Sequence, residues 1–304
     1  MEGFLSTKET IEKYIDGCQA KSKMSNGKLL GKAILAGAFI GLGAAASSVA
    51  SHAIADVGVA RLAAAVVFPV GLMMVIMLGA ELFTGDCLLA MGVIDGKQKI
   101  KDFIRILASV YIGNFIGASL LAVLIAFSGQ LDYSGGLLGA YTIKIAVSKA
   151  NILFSQGVVS GILCNVLVCA AVLMAMSAKD IAGKLVAIFF TIMLFVTAGF
   201  EHCVANMYYI TAGLVAKFNP EYVQMAMDTY GYTPGQLETL NVTNYLVTNL
   251  IPVTIGNIIG GVVLFGAPMF FLNMNKLKAS KKEEKKEEIR NDVIYTAVFA
   301  DPTH

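Results

Sequence analysis

Charge is scarce in this chain. Asp, Glu, Lys and Arg make up 14% of its 304 residues against 57% hydrophobic residues, and the mean hydropathy is +0.71. An ordinary soluble domain carries about a quarter of its residues as charges, so that class is excluded. A cysteine framework is also missing. Cys87, Cys164, Cys169 and Cys203 fall inside apolar runs without metal-ligand spacing and read as small core residues. No His-Glu-x-x-His run occurs, Asp86 has no second aspartate nearby, and His202 has no histidine partner, so an intramembrane enzyme lacks its catalytic set. No cofactor, metal ion or nucleic-acid partner is expected.

What is present is a set of long apolar runs. Crossing ~30 Å of hydrocarbon takes about 20 residues, and runs of that length or more lie near 33–55, 62–92, 103–128, 156–176, 184–212 and 247–273. Nineteen of the 23 lysines and arginines flank these spans on one side, while Arg61, Lys144, Lys149 and Lys217 alone occupy the other. Positive loops stay in the cytoplasm, so both termini are expected there, as an even number of spans requires. The chain then divides into a cytoplasmic amphipathic segment, 1–32, a transmembrane domain, 33–275, and a charged cytoplasmic tail, 276–304. Residues 1–32 hold no apolar signal region; Ser6-x-x-Glu9 opens an amphipathic helix with Ile11, Ile15 and Cys18 on its apolar side. The Lys281-Lys282-Glu283-Glu284-Lys285-Lys286-Glu287-Glu288 run reads as solvated.

Against this background one ionisable pair, Glu201 and His202, stands inside an apolar span. Such groups cost roughly 2.5–3.5 kcal/mol on insertion scales and are kept where they line a pathway or a relay. The pair belongs to an internal repeat. Gly79-Ala80-Glu81 is echoed 120 residues on by Gly199-Phe200-Glu201, which sets Asp86 opposite Asn206 and Leu82 opposite His202. Gly37-x-x-x-Gly41 is echoed by Gly157-x-x-x-Gly161, and Gly113-Asn114-x-x-Gly117 by Gly256-Asn257-x-x-Gly260. Each half, about 33–128 and 156–273, holds three spans, and an odd number forces the second half to enter the membrane inverted. Spans two and five are too long for one straight crossing and carry a glycine followed by polar residues. Both are expected to break near mid-membrane, where freed backbone groups must be buried in protein or face a water-filled cavity.

The segments Gly79-Ala80-Glu81-Leu82-Phe83-Thr84-Gly85-Asp86 and Gly199-Phe200-Glu201-His202-Cys203-Val204-Ala205-Asn206-Met207 resemble the formate/nitrite transporter family, over about residues 1–275. Within it the chain looks closest to the hydrosulfide channels. The resemblance implies an all-α membrane protein with six transmembrane helices, an aquaporin-like protomer, broken helices 2 and 5, and a homopentamer in a bacterial-type plasma membrane. It also implies that Thr84 and His202 face the permeating ion, that Leu82, Phe83, Phe195 and Val168 form apolar constrictions, that Asn165 and Asn257 are pore amides, and that Lys149 lies near an outer vestibule. The substrates it implies are small anions of weak acids: hydrosulfide first, with formate and nitrite.

The chemistry of these residues fits such solutes. Apolar rings reject large or strongly hydrated species, and a cationic vestibule draws anions inward. His202 has two possible jobs, donating a hydrogen bond while neutral or protonating the anion. Glu201 and Glu81 read as structural, because a fixed negative charge would repel the substrate; Glu201 is expected to accept backbone N–H bonds or brace neighbouring subunits, and Asn206 to anchor the loop carrying Thr84. The N-terminal segment reads as a cytoplasmic plug. A neutral-solute pore is the nearest alternative, but the paired Asn-Pro-Ala signature of that type is absent.

Overall fold

The computed structural model describes residues 3–274; the expectation for the charged tail lies outside them. The chain runs α1 (Thr7–Ser22), α2 (Asn26–Ser51), α3 (Val57–Met77), α4 (Phe83–Ile94), α5 (Ile100–Phe127), α6 (Leu137–Ala150), α7 (Phe154–Ser177), α8 (Ile181–Ala198), α9 (Cys203–Ala216), α10 (Pro220–Tyr230), α11 (Pro234–Glu238) and α12 (Val242–Met274). Six of them (α2, α3, α5, α7, α8 and α12) are long and apolar enough to cross a membrane, and α4 and α9 are shorter apolar helices.

Helix starts follow local chemistry. Ser6 and Glu9 form the reciprocal capping box expected for α1, whose buried face is Thr10, Ile11, Ile15 and Cys18. Ser25, Asp56 and Asp180 cap α2, α3 and α8 through their side chains. The first span therefore begins at Asn26, seven residues before its expected start, and Lys28 and Lys32 lie on its first turns.

Spans two and five break where the glycines predicted. Residues 78–82 separate α3 from α4, and 199–202 separate α8 from α9. Gly79 and Gly199 take φ of +67° and +74°, a left-handed backbone that stops a helix and that a side chain resists.

The inverted repeat is visible atom by atom. Asn114 on α5 donates from Nδ2 to the Ala33 and Glu81 carbonyls and accepts the Phe83 N–H on Oδ1. Asn257 on α12 donates to the Gly161 and Glu201 carbonyls and accepts the Cys203 N–H. Tyr111 and Thr254, equivalent positions of α5 and α12, bond to each other at 2.9 Å, so the relating axis passes between them.

One part of the sequence alignment needs correction. Gly117 abuts the Ile34 carbonyl as Gly260 abuts that of Ile162, so α2 and α7 match at an offset of 128 (162 against 34), and not 120. Gly37 therefore corresponds to Asn165, and Gly157 to Leu29. The eight-residue difference is absorbed between the start of α2 and Gly79 after the end of α3, where both helices and their connection are longer than in the second half. At this register the short helices α1 and α6 also correspond, and each repeat begins before its first span.

The sequence reading did not place α6, α10 or α11. The α6 helix is only 14 residues long, and its apolar positions interleave with Lys144 and Lys149.

The glycine contacts make a stability prediction. A methyl at Gly117 would collide with the Ile34 carbonyl, which lies in the rigid backbone of α2. Gly117→Ala is expected to lose about 1–3 kcal/mol by overpacking, seen as a lower thermal transition of the detergent-solubilised protein. Gly27→Ala, where nothing lies within 4 Å, should leave that transition unmoved.

Candidate functional site

The two breaks meet. Thr84 lies on the first turn of α4 and His202 is the N-cap of α9, and Thr84 Oγ1 lies 2.9 Å from His202 Nε2, with Thr84 fully buried and His202 3% exposed. His202 Nδ1 accepts the Ala205 N–H at 3.0 Å. That bond fixes the tautomer, because a nitrogen that accepts has no proton of its own. Nε2 therefore carries the hydrogen and donates to Thr84 Oγ1, leaving the threonine hydroxyl hydrogen free for another acceptor. A proton added at Nδ1 would face the Ala205 N–H and displace the helix cap.

A cavity lies on each side of this contact. The first, about 120 Å³, includes Leu72, Val75, Ile76, Leu82 and Val172 in its wall, with Lys21, Glu81 and Asp86. The second, about 160 Å³, includes Phe68, Ile145, Phe195 and Tyr209, with Lys149, His202 and Asn206. The repeat relates them: Val75 corresponds to Phe195, Leu82 to His202, and Asp86 to Asn206. Because the repeats are inverted, the cavities sit toward opposite ends of the bundle. Between them Leu82, Thr84, Phe195 and His202 form a seal in which no residue is more than 4% exposed.

Each cavity has a lysine on a carboxylate. Lys149 Nζ lies 3.0 Å from both oxygens of Glu201. Lys21 Nζ lies 2.6 Å from Glu81 and 2.6 Å from Asp86. Lys21 and Lys149 stand at the same register, 128 apart. Burial alone would lower the Lys21 ammonium, but Asp86 and Glu81 outweigh it and hold the group above its ordinary value.

Of the residues expected to form the site, Thr84, His202, Leu82, Phe195 and Lys149 are brought together around the two cavities. Phe68, which the sequence did not single out, meets the Phe195 ring edge-on at 5.6 Å. Phe83 turns instead to Tyr111, ring centres 4.9 Å apart, and lines neither cavity. Val168 is buried one turn from Val172 and lines neither cavity. Asn165 and Asn257 are fully buried in the frame; Asn165 Nδ2 donates to the Asn257 carbonyl at 2.6 Å.

Two expected roles are corrected. The Glu201 carboxylate accepts from Lys149 and from Asn206 Nδ2, at 2.6 Å, and among the described residues from no backbone group, which removes the first of its two expected roles and leaves bracing of neighbouring subunits as an expectation. Asn206 binds Glu201 and Asn249, so the loop carrying Thr84 is anchored by Asn114. Asn114 was legible as the twin of Asn257 in Gly-Asn-x-x-Gly, and Lys21 as the twin of Lys149 once the register was right. Phe68 carries no comparable signal.

Comparison with known proteins identifies the family and the fold. The formate/nitrite transporter family model matches residues 8–271. The chain belongs to the formate/nitrite transporter family. Among family members, the formate channel FocA of Haemophilus influenzae is 39% identical over 211 residues, covering 69% of this chain and 73% of that protein. A solved pentameric formate channel with formate bound superposes with a TM-score of 0.72 at 33% identity, covering 81% of this chain and 97% of that one. An FNT family ion channel superposes at 0.71 with 26% identity, over 87% and 98%. The family fold is thus an all-α membrane protein of six transmembrane helices in two inverted repeats, as the sequence implied.

Proposed function

We propose that this chain is a transmembrane channel for small monovalent anions of weak acids, without catalytic activity, assembled as a homopentamer in a bacterial-type plasma membrane with both termini cytoplasmic. The observation that carries the reading is the Thr84–His202 contact, where two helix breaks place paired donors in the apolar seal between two lysine-bearing cavities. An anion leaving either cavity must shed water against Leu82 or Phe195. The Nε2–H of His202 and the hydroxyl of Thr84 replace part of that hydration by charge-assisted hydrogen bonds. Of the two jobs open to His202, the capped Nδ1 favours donation while neutral.

Formate is the substrate that the relatives' names favour. Hydrosulfide has the same charge, a small radius and a neutral conjugate acid, and together with nitrite it belongs to the same proposed set. The test is uptake of formate, nitrite and hydrosulfide in turn into liposomes holding the purified protein, with glycerol as a neutral control. Saturable flux of at least one anion, with no glycerol entry, is the expected result; glycerol permeation without anion flux would overturn the reading.

A further inference from the structure

The repeat gives the two cavities matching walls and unequal charge. Beside the first, Lys21 and Lys32 stand against Glu81 and Asp86. Beside the second, among the described residues, Arg61 and Lys149 stand against Glu201 alone. The outer cations correspond in place: Lys32 Nζ donates to the Gly79 carbonyl at the end of α3, and Arg61 Nη1 to the Thr197 carbonyl near the end of α8. The difference reduces to one position, where the first half has Asp86 and the second Asn206. These side chains are 3% and 0% exposed, both line their cavity, and each leaves one buried oxygen, Asp86 Oδ2 and Asn206 Oδ1, without a partner. They occupy equivalent sites and differ by one negative charge.

We infer that Asp86 makes the two mouths unequal toward anions, so that an anion enters more readily from the Lys149 side than from the Lys21 side. The inference rests on the anion-channel reading. In a narrow cavity with low-dielectric walls a single fixed charge acts on an entering ion with little screening. A carboxylate beside the path at the Lys21 mouth cancels one of the two cations there, whereas the Lys149 mouth keeps a net positive charge. A neutral solute would feel neither.

Asp86→Asn makes the first cavity match the second. Lys21 keeps Glu81 at 2.6 Å, and the new amide can donate to Glu81 as Asn206 does to Glu201 at 2.6 Å. The experiment is single-channel current against voltage in symmetric formate. Wild-type protein is expected to pass about three- to tenfold more current in one direction than in the other. In Asp86→Asn, and in Asp86→Ser as a second charge-removing variant, the ratio should fall toward one through a rise in the weaker direction. Variants that conduct with the wild-type ratio would overturn the inference and leave the channel reading standing. Equal wild-type currents in the two directions would overturn it even if neither variant assembles. A wild-type protein that passes no anion current at all would remove both readings together.

Discussion

His202→Phe is expected to lower formate flux about ten- to a hundredfold in proteoliposomes, the effect of losing one hydrogen bond to a charged partner at the barrier. The aromatic ring fills similar space beside Phe195, whose ring centre lies 6.1 Å from that of the imidazole. It removes the Nε2 donor to Thr84 and the Nδ1 acceptor of the Ala205 N–H. The first loss takes a donor from the passing anion, and the second frees a backbone N–H at the start of α9. The control is His202→Gln, whose amide can donate in place of Nε2 and should retain a larger share of the flux. Equal flux in wild type and His202→Phe would show that the barrier lies elsewhere and that the Thr84–His202 contact is only a helix brace.

Asn257→Ala is expected to be the most damaging single change to the frame. The Asn257 amide is fully buried and bonds the Glu201 carbonyl and the Cys203 N–H, both at the second break. Without it those two groups have no replacement partner in an apolar surround, at about 1–3 kcal/mol each. The loss should appear as aggregation or dissociation of the solubilised assembly in size-exclusion chromatography. Asn114→Ala should act likewise at the first break, through the Glu81 carbonyl and Phe83 N–H. A protein that kept its elution volume and thermal transition after Asn257→Ala would show that the breaks are held by chain connectivity and need no amide.

The positions of these breaks were legible because glycine and carboxylate are costly inside an apolar span, and a cost repeated at a fixed offset seldom has a bland origin. The pairing of Thr84 with His202 came from the resemblance to the formate/nitrite transporters. The offset between α2 and α7 was not legible from Gly37 and Gly157. Glycines at four-residue spacing recur on every tightly packed helix face, so one glycine pair aligns with another at several registers. The contacts of Asn114 and Asn257 remove that ambiguity, since a side chain that bonds three backbone groups admits a single register. The short helix α6 was missed for a related reason: its burial comes from packing on α9 and α10, which no local pattern in 137–150 announces. The opposite roles of Phe83 and Phe195 follow from direction along the chain. Phe83 follows Leu82 on the first turn of α4 and turns away from the cavity that Leu82 lines, whereas Phe195 precedes its break and faces the second cavity.

The docking of α1 bears on how the molecule tolerates change at its start. Lys21 is reached before the first membrane crossing, yet it supplies the first cavity with what Lys149 supplies to the second. Any alteration that pulled α1 away would leave Glu81 and Asp86 as two neighbouring buried carboxylates with only Lys32, 3.7 Å from Glu81, to offset them. One mouth would then turn anion-repelling while the other stayed intact, and passage in both directions would fall without a single change inside the spans.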